Sequence, residues 1–255
     1  MQKRKVGIFG AGTIGRAVLA ELKKHEGVEL VFVLNRDPAK IADLNLAPGV
    51  ATADPEEALS RGADLVIETS VAQVVADYAP RVLESADFCA FSGTALADAA
   101  LEAQIREGAA RSGRRFYLPH GAVLGLDGLA DAGPILQSVT ITTRKSGKSL
   151  GLPPETEGVI FEGAAREACL KFPRNVNVHA AVALAGMGMD RTFSRIIAVP
   201  GQGVNEHRIE VTGEGLAWVI EASSPSLGGV TGAYTPRSAA GSIARILGGG
   251  GLQIV

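Results

Sequence analysis

Between Lys5 and Arg16 the chain reads Lys-Val-Gly-Ile-Phe-Gly-Ala-Gly-Thr-Ile-Gly-Arg, a short apolar run that turns through three glycines directly into a helical pattern. Each glycine has a distinct task in such a turn. Gly10 can take the φ of the tight turn, Gly12 lacks the Cβ that would keep a pyrophosphate off the backbone, and Gly15 lets the helix pack closely on the strand. The N–H groups opening the helix, at Thr13, Ile14 and Gly15, would face such a phosphate with the helix dipole behind them. A G-x-G-x-x-G run alone is equally a tight strand-to-helix turn. Here a strand precedes it, a helix follows, and a second strand, Val28 to Leu34, comes about twenty residues on, the context that a dinucleotide site requires.

That second strand is almost continuously apolar, as a buried parallel sheet demands. It ends in Asn35-Arg36-Asp37. An acidic residue at this tip binds the adenosine ribose 2′-OH and repels a 2′-phosphate, whereas arginine accommodates the phosphate. Neutral Asn35 followed by Arg36 predicts a site that uses NADP or NAD and slightly favours NADP; Arg36 as a solvated loop charge is the alternative.

Strand and helix then alternate. Asp37 and Asp54 each precede proline and read as helix N-caps, Asp64 to Glu68 as a strand ending at Glu68-Thr69-Ser70, and Val71 to about Ala86 as a helix. Phe88 to Phe91, a helix from Asp98 to about Ser112, and Arg115 to Leu118 complete a doubly wound parallel sheet of the α/β class. The carboxyl edge of such a sheet meets ligand, which makes Ser70 a cofactor-site candidate.

At Pro119 the pattern changes. A glycine-rich turn (His120 to Leu129) opens a helix, and Ser138 to Lys145 alternates β-branched residues like a strand. Val159 to Gly163 precedes a helix from about Ala164 to Lys171, and an alanine-rich helix ends near Gly186. Arg195 to Val199, Glu206 to Gly213 and Leu216 to Ala222 read as antiparallel strands. Gly147-Lys-Ser149 is no P-loop, because Thr142 stands where the motif needs its first glycine. An amphipathic helix, Pro236 to Leu247, returns to the first domain, and Gly248 to Gly251 is a flexible lead into the tail. The expected division is a Rossmann domain over 1–118 completed by 232–255, and a catalytic and dimerisation α+β domain over 119–231.

Composition excludes little and agrees with a soluble enzyme. A net charge of −2 gives no reason to expect nucleic acid or an anionic membrane as partner. Cys89 and Cys169 lie apart in apolar segments with no C-x-x-C, as buried thiols in a reducing cytoplasm do. No apolar run reaches membrane-spanning length, and the basic N-terminus enters a strand rather than a signal peptide.

Several stretches together resemble the L-aspartate dehydrogenase family. Besides Gly10 to Gly15, these are His120-Gly-Ala-Val-Leu-Gly-Leu-Asp127, Thr143-Arg-Lys145, Val159 to Ala168 with Phe172-Pro-Arg-Asn-Val-Asn-Val178, and Asn205-Glu-His-Arg-Ile209. The resemblance runs from about Val6 to Leu247. It implies a homodimeric, cytoplasmic NAD(P)-dependent enzyme that oxidatively deaminates L-aspartate to oxaloacetate and ammonia through an imine, or runs in reverse. It implies further that the imine can feed nicotinamide cofactor synthesis. It places the catalytic histidine on His207 and cofactor contacts on Ala122 and Asn177. An unperturbed imidazole exchanges protons near neutral pH, as water addition and ammonia loss require. The dicarboxylic substrate needs cations, for which Arg144, Lys145 and Arg174 are the candidates, with His120 beside them.

The chain also departs from the family's pattern. His120 stands where serine is usual, His179 where alanine is usual, and Tyr234-Thr-Pro-Arg-Ser238 replaces an Asn-Pro-Lys-Thr-Ser element. These changes leave room for another amino acid substrate. No metal site is expected, since the spacing of His120, His179 and His207 matches no zinc pattern. Two other readings share the first domain: a reductase like dihydrodipicolinate reductase or homoserine dehydrogenase, and a non-catalytic NADPH sensor.

Overall fold

A computed structural model describes residues 3–227 and 230–248. The first half alternates β1 (Arg4–Phe9), α1 (Thr13–Leu22), β2 (Val28–Leu34), β3 (Ala51–Thr52), α2 (Pro55–Ser60), β4 (Leu65–Glu68), α3 (Ala72–Val82), β5 (Asp87–Ala90), α4 (Ala99–Ser112) and β6 (Phe116–Tyr117). These strands form one six-stranded sheet in the order β3-β2-β1-β4-β5-β6, parallel throughout. The strand order reverses between β1 and β4, and there the carboxyl edge opens a crevice for ligand. Strand β3 was not legible, because two residues carry no periodicity.

The local devices behave as their chemistry dictates. Asp54 accepts hydrogen bonds from the N–H groups of Glu56 and Glu57 at the start of α2, and Asp98 from those of Ala100 and Leu101 at the start of α4. Each satisfies N–H groups that a helix start otherwise leaves unpaired. Asp98→Ala is expected to lower stability by about 1 kcal/mol. A lower denaturant midpoint with unchanged kcat would show it.

The second half supplies α5 (Leu126–Ala132), β7 (Leu136–Lys145), α6 (Gly147–Leu150), β8 (Gly158–Ala164), α7 (Ala165–Lys171), α8 (Asn177–Ala185), β9 (Phe193–Ala198), β10 (Val204–Gly213), β11 (Leu216–Pro225) and α9 (Thr235–Leu247). A five-stranded sheet runs β11-β10-β7-β9-β8. Strands β10 and β11 are antiparallel, as expected, but β9 lies parallel to β7 and antiparallel to β8. The reason is the long path through α7 and α8, which returns the chain in the direction of β7 as a crossover does.

Apolar burial ties these layers together. Val18 and Leu19 of α1 pack with Ala239 and Ile243 of α9 on one face of the parallel sheet. On the opposite face, Val75, Ala79 and Leu101 share one cluster with Ala165, Ala168 and Ala180 of α7 and α8. A third cluster, including Leu129, Ile141, Val182 and Ile209, fills the space between α5, α8 and the inner face of the mixed sheet. Both cysteines are buried free thiols. Of the glycine run expected over Gly248 to Gly251, only Gly248 lies within the described residues, and 249–255 of the proposed first domain lie outside them.

Candidate active site

The glycine turn sits at the reversal point of the parallel sheet. Gly10 has φ +90°, which a side chain rarely adopts, and a Cβ on Gly15 would stand 2.5 Å from the Gly10 carbonyl oxygen and 2.7 Å from Thr69 Oγ1. Gly12 is different, because a Cβ there would meet nothing within 4 Å. Among the described residues no side chain caps α1. Open space above N–H groups with no side-chain acceptor is what a pyrophosphate needs, so the residues present fit a dinucleotide. Gly10, Gly12, Thr13, Ile14 and Gly15 all lie in this turn and the first turn of α1.

At the tip of β2, Asn35 Nδ2 donates to the Asp37 carbonyl oxygen. The Asp37 carboxylate accepts from the Ala39 N–H and so faces its own turn. Arg36 is exposed and has no polar partner among the described residues. The only charge this tip leaves uncommitted is therefore positive.

Glu68 ends β4 fully buried. Its carboxylate accepts from the Ser70 and Ser92 N–H groups, at 2.5 and 3.0 Å, and from both serine hydroxyls. Burial pushes its pKa up while these four donors pull it down. The carboxylate thus locks the turns after β4 and β5 that form one wall of the crevice.

Beside this wall lies a cavity of about 720 Å³ between the two sheets. Ile14 and Ser70 line it from the nucleotide side, and His120, Ala122, Arg174 and Asn177 from the loops that join the sheets. Lys145 of β7 and His207 of β10 line it from the mixed sheet. Eight residues predicted from scattered motifs therefore share one space. Asn177 Oδ1 accepts from the Thr94 N–H at 3.1 Å, and its Nδ2 has no protein partner among the described residues. The Ser238 hydroxyl of α9 donates to the Gly121 carbonyl and so holds the turn carrying Ala122.

The charged end of the cavity is unusual. Lys145 is 3% exposed, and among the described residues its Nζ meets only the carbonyl oxygens of Asn175 and Val230, at 3.4 and 3.3 Å. Burial pushes its pKa down to about 8. His207 is buried as well, and burial together with Lys145 lowers its imidazole to about 3. This corrects the expectation of an unperturbed imidazole: an enclosed ring near an ammonium is held neutral. His120, half-buried, donates from Nδ1 to the Val123 carbonyl at 2.7 Å, and burial lowers its pKa too.

Arg144 does not join this cluster. Side chains alternate along a strand, so Thr143 and Lys145 face inward while Arg144 faces out, 3.6 Å from Glu206. Nor do three histidines converge on a metal. Both ring nitrogens of His179 are engaged, by Thr143 and Ser194, and no group of three or more His, Cys, Asp or Glu among the described residues is arranged to hold an ion.

Sequence reasoning missed Asn205. Its Nδ2 donates to the Val230 carbonyl, while Oδ1 is buried in the wall of the cavity with no partner among the described residues, as is Oδ1 of Asn175. A buried amide oxygen without a donor is costly, and a ligand N–H removes that cost. The signal was present in Asn205-Glu-His207, whose first and third residues fall on one face of β10.

Residues 127–246 match the family model described as aspartate dehydrogenase, C-terminal, and residues 10–119 the NAD binding domain of homoserine dehydrogenase. An L-aspartate dehydrogenase of Methanopyrus kandleri is 35% identical, with 89% of each chain covered. One of Methanococcoides burtonii is 36% identical, with 82% of this chain and 84% of that one covered. The crystal structure of aspartate dehydrogenase from Thermotoga maritima superposes with a TM-score of 0.75 at 26% identity, over 96% of both chains. The nucleotide turn, the shared cavity and these likenesses over nearly the whole chain place the protein in the L-aspartate dehydrogenase family.

Proposed function

We propose that this protein catalyses the NAD(P)-dependent oxidative deamination of L-aspartate to oxaloacetate and ammonia, and the reverse reductive amination. The observation that carries this reading is the convergence in one cavity, next to the nucleotide turn, of His207, Lys145 and the Asn205 oxygen, which has no partner among the described residues. A bound nicotinamide would supply the acceptor for hydride from Cα of the amino acid. The protein's residues manage everything else. Lys145 pairs with a substrate carboxylate deep in the cavity, and exposed Arg174 meets the second near its mouth. Asn205 Oδ1 accepts from the amino group, and Asn177 Nδ2 would help to hold the nicotinamide end of the cofactor.

Once the hydride has left, the carbon bears a C=N bond. Water attacks it while His207 takes the water's proton at Nε2, giving a carbinolamine; the imidazolium returns the proton to the amine, and as the C–N bond breaks the neutral ring takes the hydroxyl proton and the carbonyl forms. A neutral ring is the form that this first step needs. The substrate carboxylates stabilise the imidazolium, so their entry raises the histidine's pKa from its low value and readies the ring to accept the proton.

The tip of β2 supports use of both cofactors with NADP favoured. Arg36→Ala is expected to raise KM for NADPH about tenfold, the effect of losing one charge-assisted contact, and to leave that for NADH unchanged. The proposed assembly is a homodimer. The outer face of the mixed sheet supports it: Val159, Phe193 and Val219 are exposed there among Arg–Glu pairs such as Arg195–Glu162 and Arg208–Glu221.

Following nicotinamide absorbance with a panel of amino acids under each cofactor tests the assignment. Turnover with L-aspartate well above that with neutral or basic amino acids is expected. Preference for any of these, or no turnover in either direction, would contradict it.

A further inference from the structure

Three buried polar side chains, Thr143, His179 and Ser194, are not used by the mechanism above and lead to His207. Thr143 Oγ1 lies 2.8 Å from His207 Nδ1 and 2.7 Å from His179 Nε2, and His179 Nδ1 lies 2.9 Å from Ser194 Oγ. All four residues are buried, and His179 and Thr143 are 0% exposed. The pairing of β10 with β7 puts Thr143 opposite His207, and that of β9 with β7 brings Ser194 to the far end of the chain. The result is a continuous line from Ser194 to the ring that faces the cavity. His207 Nε2 has no protein partner among the described residues, so it is the nitrogen left for substrate.

A hydroxyl has one proton, so between two imidazoles Thr143 donates to one and accepts from the other. The tautomers of the two neutral rings are therefore coupled. In one polarity His207 carries its proton on Nδ1 and donates to Thr143, Thr143 donates to a bare His179 Nε2, and His179 Nδ1–H donates to Ser194. Nε2 of His207 is then bare and can take a proton from water. In the other polarity Thr143 donates to His207 Nδ1, and the neutral ring shows N–H to the cavity. An imidazolium carries hydrogen on both nitrogens, so only the first polarity serves His207 both before and after it accepts a proton.

We propose that His179, acting through the Thr143 hydroxyl, is a positioning residue that holds His207 with Nε2 bare. The proposal rests on His207 being the base assigned above. Without an acceptor at position 179, the hydroxyl's one remaining imidazole neighbour is His207 Nδ1. It donates there, and the ring must change tautomer before it can act.

The test uses the full-length protein labelled with nitrogen-15, in which four histidines give a readable set of long-range proton–nitrogen correlations. The unsubstituted protein is expected to show His207 with Nδ1 protonated and Nε2 bare. His179→Phe is expected to move the proton to Nε2 and to lower kcat by about tenfold or more, a part of the usual worth of acid–base catalysis. KM for the amino acid and Kd for NADPH should stay within about twofold, since neither contact in the proposed site is touched. His179→Gln, whose amide oxygen accepts from Thr143, is expected to recover most of the loss. Thr143→Val and Thr143→Ser form a second pair, isosteric and hydroxyl-bearing, that repeats the pattern on a different residue and guards against misfolding at position 179. Nε2–H on His207 in the unsubstituted protein, or full kcat in both His179→Phe and Thr143→Val, would overturn the proposal. Turnover surviving His207→Asn would instead overturn the assignment of His207 as base, while the spectra still report on the hydrogen-bonded line.

Discussion

His207→Asn is expected to lower kcat for deamination by about two to four orders of magnitude, the range that positioned acid–base groups contribute. Affinity for NADPH should be retained, because His207 lies on β10 of the mixed sheet and not on the nucleotide turn. Asparagine keeps a polar group near Thr143 but cannot exchange a proton with water. Fluorescence titration of the nucleotide and initial rates separate the two effects. Equal loss of both would mean that the ring serves the fold rather than the reaction.

The second large effect falls on Lys145. Its ammonium is buried with carbonyl oxygens and, among the described residues, no carboxylate, an arrangement costly to the free protein and suited to capturing an anion. Lys145→Met is expected to raise KM for the dicarboxylate by about 10- to 150-fold, the equivalent of roughly 1.5–3 kcal/mol for a charge-assisted contact. The thermal midpoint should rise, since methionine fills the site without a charge to desolvate. Higher stability with weaker binding is the opposite of what a purely structural lysine would give.

The pH dependence follows with its sign. In the free protein Lys145 is a cation below about 8 and loses its proton above. Inhibition by succinate, which has no amino group of its own to titrate, should weaken as pH rises through that value. A bound carboxylate favours the ammonium, so succinate binding above this pH takes up a proton. In Lys145→Met the same profile should be flat.

Much of the fold was legible because parallel sheets announce themselves. Continuous apolar strands, aspartate caps ahead of proline and the glycine turn made the parallel sheet legible down to the place where its crevice opens. The direction of β9 was not legible, since one strand's pattern says which face is buried but not which neighbour it meets. The same limit explains the site. Motifs could nominate His207, Lys145 and Asn177, but Arg144 was separated from Lys145 only by the alternation of β7, once the buried face was known. Coupling of His179 to His207 through Thr143 depends on three strands and a helix meeting, and no spacing along the chain encodes it. Likewise the low pKa of His207 follows from enclosure, which a residue's type does not reveal.

The central claim, that this chain moves hydride from Cα of aspartate to a nicotinamide and releases the nitrogen as ammonia, has a direct measurement. L-Aspartate deuterated at Cα is incubated with NADP, and the reduced nucleotide, ammonia and oxaloacetate are quantified. The account predicts deuterium on the nicotinamide ring, with ammonia and oxaloacetate formed in equal amounts to reduced nucleotide. Reduced nucleotide without deuterium, or product formed without ammonia, would contradict it.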